Sequence, residues 1–355
     1  MENTINVRQR NKIKSKIYNR YNWGALAIAI QMLGASVIVS ALQVLLVVIL
    51  VARGSIDTSD KANLMENMMT AIFEYNLPMT GISMIFINTI TAVIVLKFSK
   101  TCRLRELIRK PAIGALDVVL AMIGIVGISS LDSLIMKGLS FIFGSSSEAV
   151  GNMISSGILS DNILVSVISI AYVAVLGPIT EEILCRGAVL PTCSHISWRF
   201  GIIASALMFG IMHGNISQLF NAFILGLLLA YVTLKSHSII PACLMHIANN
   251  SISVIQGLIS EGLSEKAATI FDNACDISLA VLGIICVFFL LKRNKDIDEE
   301  KDILPISRPV TDEEIAMLQP VKKGELTAKS FFGSWAFWMA AVYAAFSSAI
   351  MMFLM

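Results

Sequence analysis

The chain has 355 residues, of which 56% are hydrophobic and 15% charged, and its mean hydropathy is +0.76. Soluble domains carry about 25% charged residues, so this composition excludes an ordinary soluble protein and indicates a polytopic membrane protein. The net charge of +2 is divided among loops and gives no reason to expect a nucleic-acid partner.

The N-terminal part of the chain predicts three spans joined by loops of contrasting charge. Residues 1–22 are basic, and the apolar segment 23–52 is too long for a cleaved signal peptide, so we interpret it as a retained first span. The positive-inside rule then places the N-terminus in the cytoplasm. We expect a second span at 78–96 and, after a strongly basic loop at 97–110, a third at 112–136.

The rest of the chain predicts six further apolar segments, which gives about eight to nine spans in an all-α bundle. They are a fourth span that starts near residue 162 and runs past Pro178, and the segments 200–212, 218–234, 239–258, 277–291 and 331–355. The segment 200–212 is shorter than the ~20 residues that a span needs. Either the fourth helix is long and tilted, or residues 200–234 form a helix that is broken at mid-depth. Such a break is tolerated only beside protein or a wet cavity, and we expect a polar cavity there.

These segments divide the chain into four parts. We expect a cytoplasmic basic segment at 1–22, N-terminal transmembrane helices at 23–160, a central part at 161–258, and C-terminal transmembrane helices at 259–355. Within the last part, residues 292–330 are charged and are expected to lie in the cytoplasm.

Two carboxylates and a guanidinium interrupt the fourth span, at Glu181, Glu182 and Arg186. An ionised side chain at membrane depth costs a few kcal/mol even on the mildest scales, so this group requires an explanation. Glu182 and Arg186 are four residues apart with the acid first, which is the favourable order for an intrahelical pair. Glu181 lies about 100° away round the helix, so we expect it to stay free and to accept a proton near neutral pH.

Two later apolar helices each carry a histidine with a partner four residues away. Phe209 and His213 share one helix face, and so do His246 and Asn250. The two remaining histidines, His195 and His237, lie in polar loops, where we expect them to be solvated.

Each of these features taken alone has a structural explanation. A lone buried histidine is more often a hydrogen-bonded core residue than a catalyst, Asn250 could join two helices, and Glu182 with Arg186 could be a structural pair. The combination of all three groups within residues 181–250 favours a common site.

The three motifs together resemble those of a known family. Glu-Glu-x-x-x-Arg, Phe-x-x-x-His and His-x-x-x-Asn, in this order, are similar to the motifs of the CAAX-processing and bacteriocin-processing (CPBP) intramembrane endopeptidases, which include the type II CAAX prenyl endopeptidases. The resemblance covers about residues 165–255. One departure is Cys185, where the family usually has an aromatic residue before the arginine, so packing beside the site is expected to differ.

The resemblance implies catalytic roles for six residues, in three pairs. Glu181 and His213 would activate the attacking water, Glu182 and Arg186 would shape and neutralise the site, and His246 and Asn250 would hold the oxyanion. A base, an orienting imidazole and two donors are what peptide hydrolysis requires.

We expect no cofactor. A zinc site formed by Glu181, His213 and His246 with a bound water is the alternative. The sequence has no His-Glu-x-x-His motif, and the resemblance favours a glutamate-type mechanism without a metal.

The predicted function is therefore an intramembrane endopeptidase that cleaves membrane-associated peptides or lipidated protein tails on the cytoplasmic side. Its expected partners are such a substrate and the lipid bilayer of the cell membrane, with no nucleic acid; the sequence does not determine the oligomeric state. One alternative is a non-catalytic immunity or scaffold protein, which should have lost a motif residue. Another is a proton-coupled transporter, which should show an inverted repeat in its sequence. The sequence shows neither feature.

Overall fold

The computed structural model describes residues 2–56, 63–143, 158, 160–294, 310–318 and 321–354, and the regular structure in these ranges is helical throughout. Residues 144–157 and 159, and residues 295–309 and 319–320 of the predicted cytoplasmic segment 292–330, lie outside the described residues. The helices of the described ranges are α1 (Glu2–Ala52), α2 (Leu64–Ser99), α3 (Leu104–Leu107), α4 (Ala115–Phe143), α5 (Ile163–Cys193), α6 (Trp198–Met212), α7 (Ile216–Ser236), α8 (Ile240–Glu261), α9 (Glu265–Arg293), α10 (Asp312–Ala316), α11 (Lys323–Phe332) and α12 (Trp335–Leu354).

Seven of the described helices are long and apolar enough to cross a membrane, namely α1, α2, α4, α5, α7, α8 and α9. Two shorter apolar helices, α6 and the part Trp335–Ile350 of α12, account for the other two predicted segments. The predicted all-α polytopic bundle is confirmed, and its segment α6, with 15 residues, is shorter than a full span.

Contacts between helices define the two ends of the bundle. At one end the rings of Trp23 and Phe98 stack with centroids 5.4 Å apart, and the Ala112 amide donates to the Ser236 carbonyl at 2.8 Å. We call this the basic end, because it carries the basic residues of 8–20 and 97–110.

The other end of the bundle, which we call the distal end, is held by a different set of polar contacts. Gln43 near the end of α1 donates to Asn76 near the start of α2 at 3.2 Å, and Ser160 donates to Glu74 at 3.2 Å. Lys137 of α4 pairs with Asp276 of α9 at 2.8 Å. The two ends therefore differ in charge as well as in connectivity.

The helices α4 and α9 approach closely because glycine faces glycine. A Cβ added at Gly127 would lie 2.4 Å from the Cα of Gly283, so a side chain at either position would force the helices apart. Small residues at such crossings are typical of helix packing in membranes. Asp117, which interrupts the predicted third span, pairs with Arg293 at 2.7 Å and ties the same two helices together at the basic end.

Helix α5 contains two π-helical turns, Tyr172–Leu176 and Cys185–Val189, which flank the α-helical stretch Gly177–Leu184. Turns of this kind are rare and frequently occur at functional sites, because they rotate the side chains that follow. The two glutamates lie on the stretch between the turns, and Pro178 is its second residue.

Helices α6 and α7 form a hairpin that starts and ends at the basic end. The helix is interrupted at residues 213–215. Gly214 has a φ of +62°, a backbone conformation that favours glycine. A Cβ at Gly214 would contact Met32, which lies twenty residues before the end of α1, so the break lies inside the bundle. This arrangement favours the broken helix over the long, tilted fourth helix.

His195 is buried, so the prediction that it is solvated is wrong. It lies in the short turn between α5 and α6, its ring centroid is 4.4 Å from that of Tyr21, and its backbone carbonyl accepts from the Val310 amide at 2.9 Å. Residues near 310, which the sequence places far from this turn, cover the histidine. Burial, assisted by the charge of Arg20, lowers the pKa of His195 to about 3.

This pKa predicts a pH-dependent stability. Between the ordinary value of 6.5 and about 3, the unfolded chain binds a proton at His195 that the folded chain does not. The free energy of unfolding should therefore fall by about 1.4 kcal/mol per pH unit below 6.5, or about 2–3 kcal/mol between pH 7 and pH 4.5. Reversible unfolding in detergent at the two pH values measures this decrease in the free energy of unfolding. The variant His195→Gln should lose the part of the pH dependence that comes from the histidine. Equal slopes for parent and variant would contradict the assignment.

Candidate active site

Glu182 and Arg186 form an enclosed ion pair on one face of α5. The Arg186 Nη1 donates to Glu182 Oε1 at 3.1 Å, and both side chains are 0% exposed. The Arg186 Nε lies 3.1 Å from Glu182 Oε2, an electrostatic contact whose angle falls outside hydrogen-bond geometry. The pair has the four-residue spacing predicted from the sequence.

A second helix supplies further partners for this arginine. The Nη2 of Arg186 donates to the carbonyl of Gly226 on α7 at 3.3 Å, and the guanidinium lies over the ring of Phe209 at 4.3 Å from its centroid. A Cβ at Gly226 would lie 3.0 Å from Ala206, so the glycine lets the two helices of the hairpin close on the arginine. The arginine thus joins α5 to both helices of the hairpin.

His246 of α8 lies between the two glutamates. Its Nδ1 is 2.9 Å from Glu182 Oε1, and its Nε2 is 3.8 Å from Glu181 Oε2. An ionised carboxylate accepts hydrogen bonds and cannot donate one. The proton of this imidazole is therefore assigned to Nδ1, which faces Glu182, and Nε2 faces Glu181. Glu182 therefore orients the imidazole of His246. Glu181 is not enclosed in the same way, since its side chain is 20% exposed.

Phe209 separates the two site histidines and fixes the position of both. Its ring makes edge contacts with His213, at 5.0 Å between centroids, and with His246, at 5.7 Å. The Nδ1 of His213 lies 2.8 Å from the Phe209 carbonyl, which can only accept, so this imidazole also carries its proton on Nδ1. His213 sits at the break between α6 and α7.

Asn250 is anchored one turn beyond His246. Its Nδ2 donates to the carbonyl of Val173 at 3.0 Å, in the first π-helical turn of α5, and its Oδ1 accepts from Asn249 at 3.2 Å. These two bonds fix which way the amide points, and the second hydrogen of Nδ2 is left for another acceptor. The π-helical turn therefore connects the asparagine to the helix that carries the glutamates.

A cavity of about 710 Å³ brings four of the predicted residues together: Glu181, His213, His246 and Asn250 all line it. Glu182 and Arg186 lie behind its wall. The cavity is of the size that small-molecule and peptide sites have in proteins. A cavity is thus present beside the break in the hairpin, where we expected one.

In the described part of the chain, no group of three or more His, Cys, Asp or Glu side chains is arranged to hold a metal ion. Glu182 contacts Arg186 and His246, and the set considered above, Glu181 with His213 and His246, is not found as such a group among the described residues. We derive no step through a metal.

Two positions that contribute to the site were not singled out as site residues from the sequence. Asn249 orients Asn250, and the carbonyl of Gly226 binds Arg186. The Asn249-Asn250 doublet was a signal that could have been read, because its first member lies three residues after His246 and so on nearly the same face. Nothing in the sequence near Gly226 indicated that its carbonyl accepts from a guanidinium forty residues away.

The fold and the site together define a polytopic membrane protein with a carboxylate–imidazole centre enclosed among its helices. Residues 163–252 match the family model described as type II CAAX prenyl endopeptidase Rce1-like, so the resemblance predicted from the three motifs is confirmed. The match covers 90 of the 355 residues and includes all six predicted site residues. It supports a CAAX-type intramembrane endopeptidase family. No curated protein and no solved structure matches the chain.

Proposed function

We propose that this chain is an intramembrane endopeptidase in which Glu181 accepts the proton of the attacking water. The observation that carries this proposal is the difference between the two neighbouring glutamates. Glu182 is 0% exposed and paired with Arg186 and His246, whereas Glu181 is 20% exposed, faces the cavity and has the Nε2 of His246 at 3.8 Å. One carboxylate is structural and the other is free to act.

Hydrolysis needs a base, a water and an acid for the leaving group. The water oxygen attacks the scissile carbonyl carbon while Glu181 takes its proton, which gives a tetrahedral oxyanion. When this collapses, the C–N bond breaks and Glu181 returns the proton to the amine nitrogen, leaving a carboxylic acid and an amine. The carboxylate ends the cycle in its starting form, and no serine or cysteine nucleophile is involved.

The contacts favour His246 as the imidazole that acts with Glu181, in place of the His213 that the resemblance implied. A water in hydrogen-bond contact with both Glu181 Oε2 and His246 Nε2 fits the 3.8 Å between those atoms. An oxyanion role for His246 would require a proton on Nε2 as well, which means the charged imidazolium. We therefore propose that the free Nδ2 hydrogen of Asn250 is the oxyanion donor and that His213 contacts the substrate from the other wall.

The proposal is tested by cleavage of a peptide library with purified protein in detergent, for the parent and for Glu181→Gln. We expect internal cleavage by the parent, near-background cleavage by the variant, and no loss on addition of a strong chelator. Loss on chelation that zinc restores would replace this mechanism by a metal-bound water. A folded parent that cleaves nothing would favour the scaffold or transporter alternatives.

A further inference from the structure

Tyr172 begins the first π-helical turn of α5 and lines the same cavity as Glu181. Its side chain is partly exposed. Within the described residues the Tyr172 hydroxyl makes no hydrogen bond, and it is not an enclosed atom like the hydroxyl of Tyr21. The hydroxyl is therefore open to the cavity that its side chain lines, and it can donate its hydrogen to a bound molecule.

The π-helical turn brings Tyr172 to the side of α5 that carries Glu181. In a regular α-helix, residues nine apart lie about 180° from each other round the axis. The amide of Gly177 donates to the carbonyl of Tyr172, five residues earlier, and such a turn takes up about one extra residue. The angle between Tyr172 and Glu181 thereby falls to about 80°. Their side chains interact electrostatically, as their shared position on the cavity wall requires.

Two glycines hold the ring of Tyr172 in place. A Cβ added at Gly81 of α2 would lie 2.7 Å from the ring atom Cγ. A Cβ added at Gly177 would lie 3.5 Å from Cζ, the ring atom that bears the hydroxyl. The ring is thus packed between α2 and the next turn of α5, and its hydroxyl end lies beside Gly177, one α-helical turn before Glu181.

The same π-helical turn also holds Asn250. The carbonyl that accepts from Asn250 Nδ2 belongs to Val173, the residue after Tyr172. His246 contacts the glutamates one turn away from Asn250, about 6 Å along α8. The site therefore has two levels: Glu181 and His246 on one, and Asn250 with the first π-helical turn on the next.

We propose that Tyr172 is a further catalytic residue, whose hydroxyl donates a hydrogen bond to the oxyanion of the tetrahedral intermediate together with Asn250. This inference rests on the proposed function, because it assigns a donor for the reaction in which Glu181 takes the proton of water. Tyr172 keeps its own proton throughout and forms no covalent bond. Two donors on one level and the base on the next place the oxyanion and the attacking water on different sides of the scissile carbon.

Tyr172→Phe tests this role, because it removes the hydroxyl and keeps the ring packed on the two glycines. Losing one oxyanion donor typically costs about 10²–10³ in kcat, so we expect a loss of that size with KM near the parent value. Tyr343→Phe is the matched control, since it removes a tyrosine hydroxyl that contacts Ser36 away from the cavity, and its kcat should equal that of the parent. A parent-like kcat for Tyr172→Phe, or a change in KM alone, would overturn the assignment.

A second variant tests whether the position of the ring matters. Gly81→Ala places a methyl group against the ring and leaves the hydroxyl on the residue, so kcat should fall in the Tyr172 chain and change little in the Tyr172→Phe chain. Gly138→Ala, where the added methyl group meets nothing within 4 Å, is its control. Equal losses from Gly81→Ala in both chains would show that α2 does not act through the hydroxyl.

Binding separates this role from a structural one without requiring turnover. In a Glu181→Gln chain, Tyr172→Phe should weaken binding of a phosphinic peptide, which carries a tetrahedral anionic group, about tenfold or more. Binding of the matched amide peptide should not change. Equal losses for the two ligands, or none, would overturn the inference. If the parent cleaves no peptide, the proposed function fails, and a phosphinic analogue of the library peptide that it binds most tightly decides the donor role.

Discussion

Arg186→Ala is expected to lower the free energy of unfolding by about 3–5 kcal/mol, because it leaves the fully enclosed Glu182 without its cation. The carbonyl of Gly226 loses its donor and the ring of Phe209 loses the guanidinium above it. His246 still contacts Glu182 in this variant, but the carboxylate of Glu182 then has no cation to balance its charge. Equilibrium unfolding of purified protein in detergent measures the change.

The double variant Glu182→Gln/Arg186→Met separates pairing from packing. It removes both charges, keeps an oxygen that accepts from His246 Nδ1, and fills most of the arginine's volume. Replacing a buried ion pair by neutral groups of similar size is often close to neutral, so much of the lost stability should return. Activity should not return, because the double variant changes the charge beside His246. If the double variant is as unstable as Arg186→Ala, lost packing and not the unpaired carboxylate is the cause.

A second pair in the same chain provides a matched control. Glu325 and Lys329 have the same four-residue spacing and an N–O distance of 2.6 Å, but their side chains are 49% and 74% exposed. Exposed pairs of this kind contribute about 0–1 kcal/mol, so Lys329→Ala should change stability little. A large loss of stability in Lys329→Ala would mean that the change measured for Arg186→Ala cannot be assigned to an unpaired buried charge. A parent-like Arg186→Ala would show that Glu182 does not depend on the pair.

The sequence was sufficient for the features that depend on spacing within one helix. The pairing of Glu182 with Arg186 follows from a four-residue interval, and so does the shared face of His246 and Asn250. The membrane helices could be predicted from the apolar segments, because length and hydropathy decide whether a segment can span a membrane. The break at residues 213–215 was anticipated for the same reason, since the segment before it is too short.

Contacts between distant parts of the chain could not be obtained in this way. Spacing says nothing about which imidazole lies beside Glu181, since His213 and His246 come from different helices. The burial of His195 depends on the backbone near Val310, which is more than one hundred residues away. The π-helical turns of α5 leave no periodic signature, although the first of them supplies the carbonyl that holds Asn250.

The two carboxylates of the site should respond differently to the same substitution. Glu261→Gln, fifteen residues along α8 from His246, is the matched control for a glutamate-to-glutamine change in the lining, and cleavage of a neutral peptide should remain near the parent rate. Asn250→Ala removes a proposed oxyanion donor, and losing one such donor typically costs about 10²–10³ in kcat. It should therefore leave a slow enzyme whose base is intact.

Glu181→Gln is expected to reduce cleavage to near background while the protein stays folded and still binds peptide. Glutamine is nearly isosteric with glutamate and keeps a hydrogen-bonding group beside His246 Nε2, but it cannot accept the proton of water. The enclosed pair of Glu182 and Arg186 is untouched, so stability should match the parent. Single-turnover cleavage of one peptide by the parent, Glu181→Gln, Asn250→Ala and Glu261→Gln makes the comparison. A Glu181→Gln rate equal to that of Asn250→Ala would remove Glu181 from the role of base and leave His246 or His213 to take the proton.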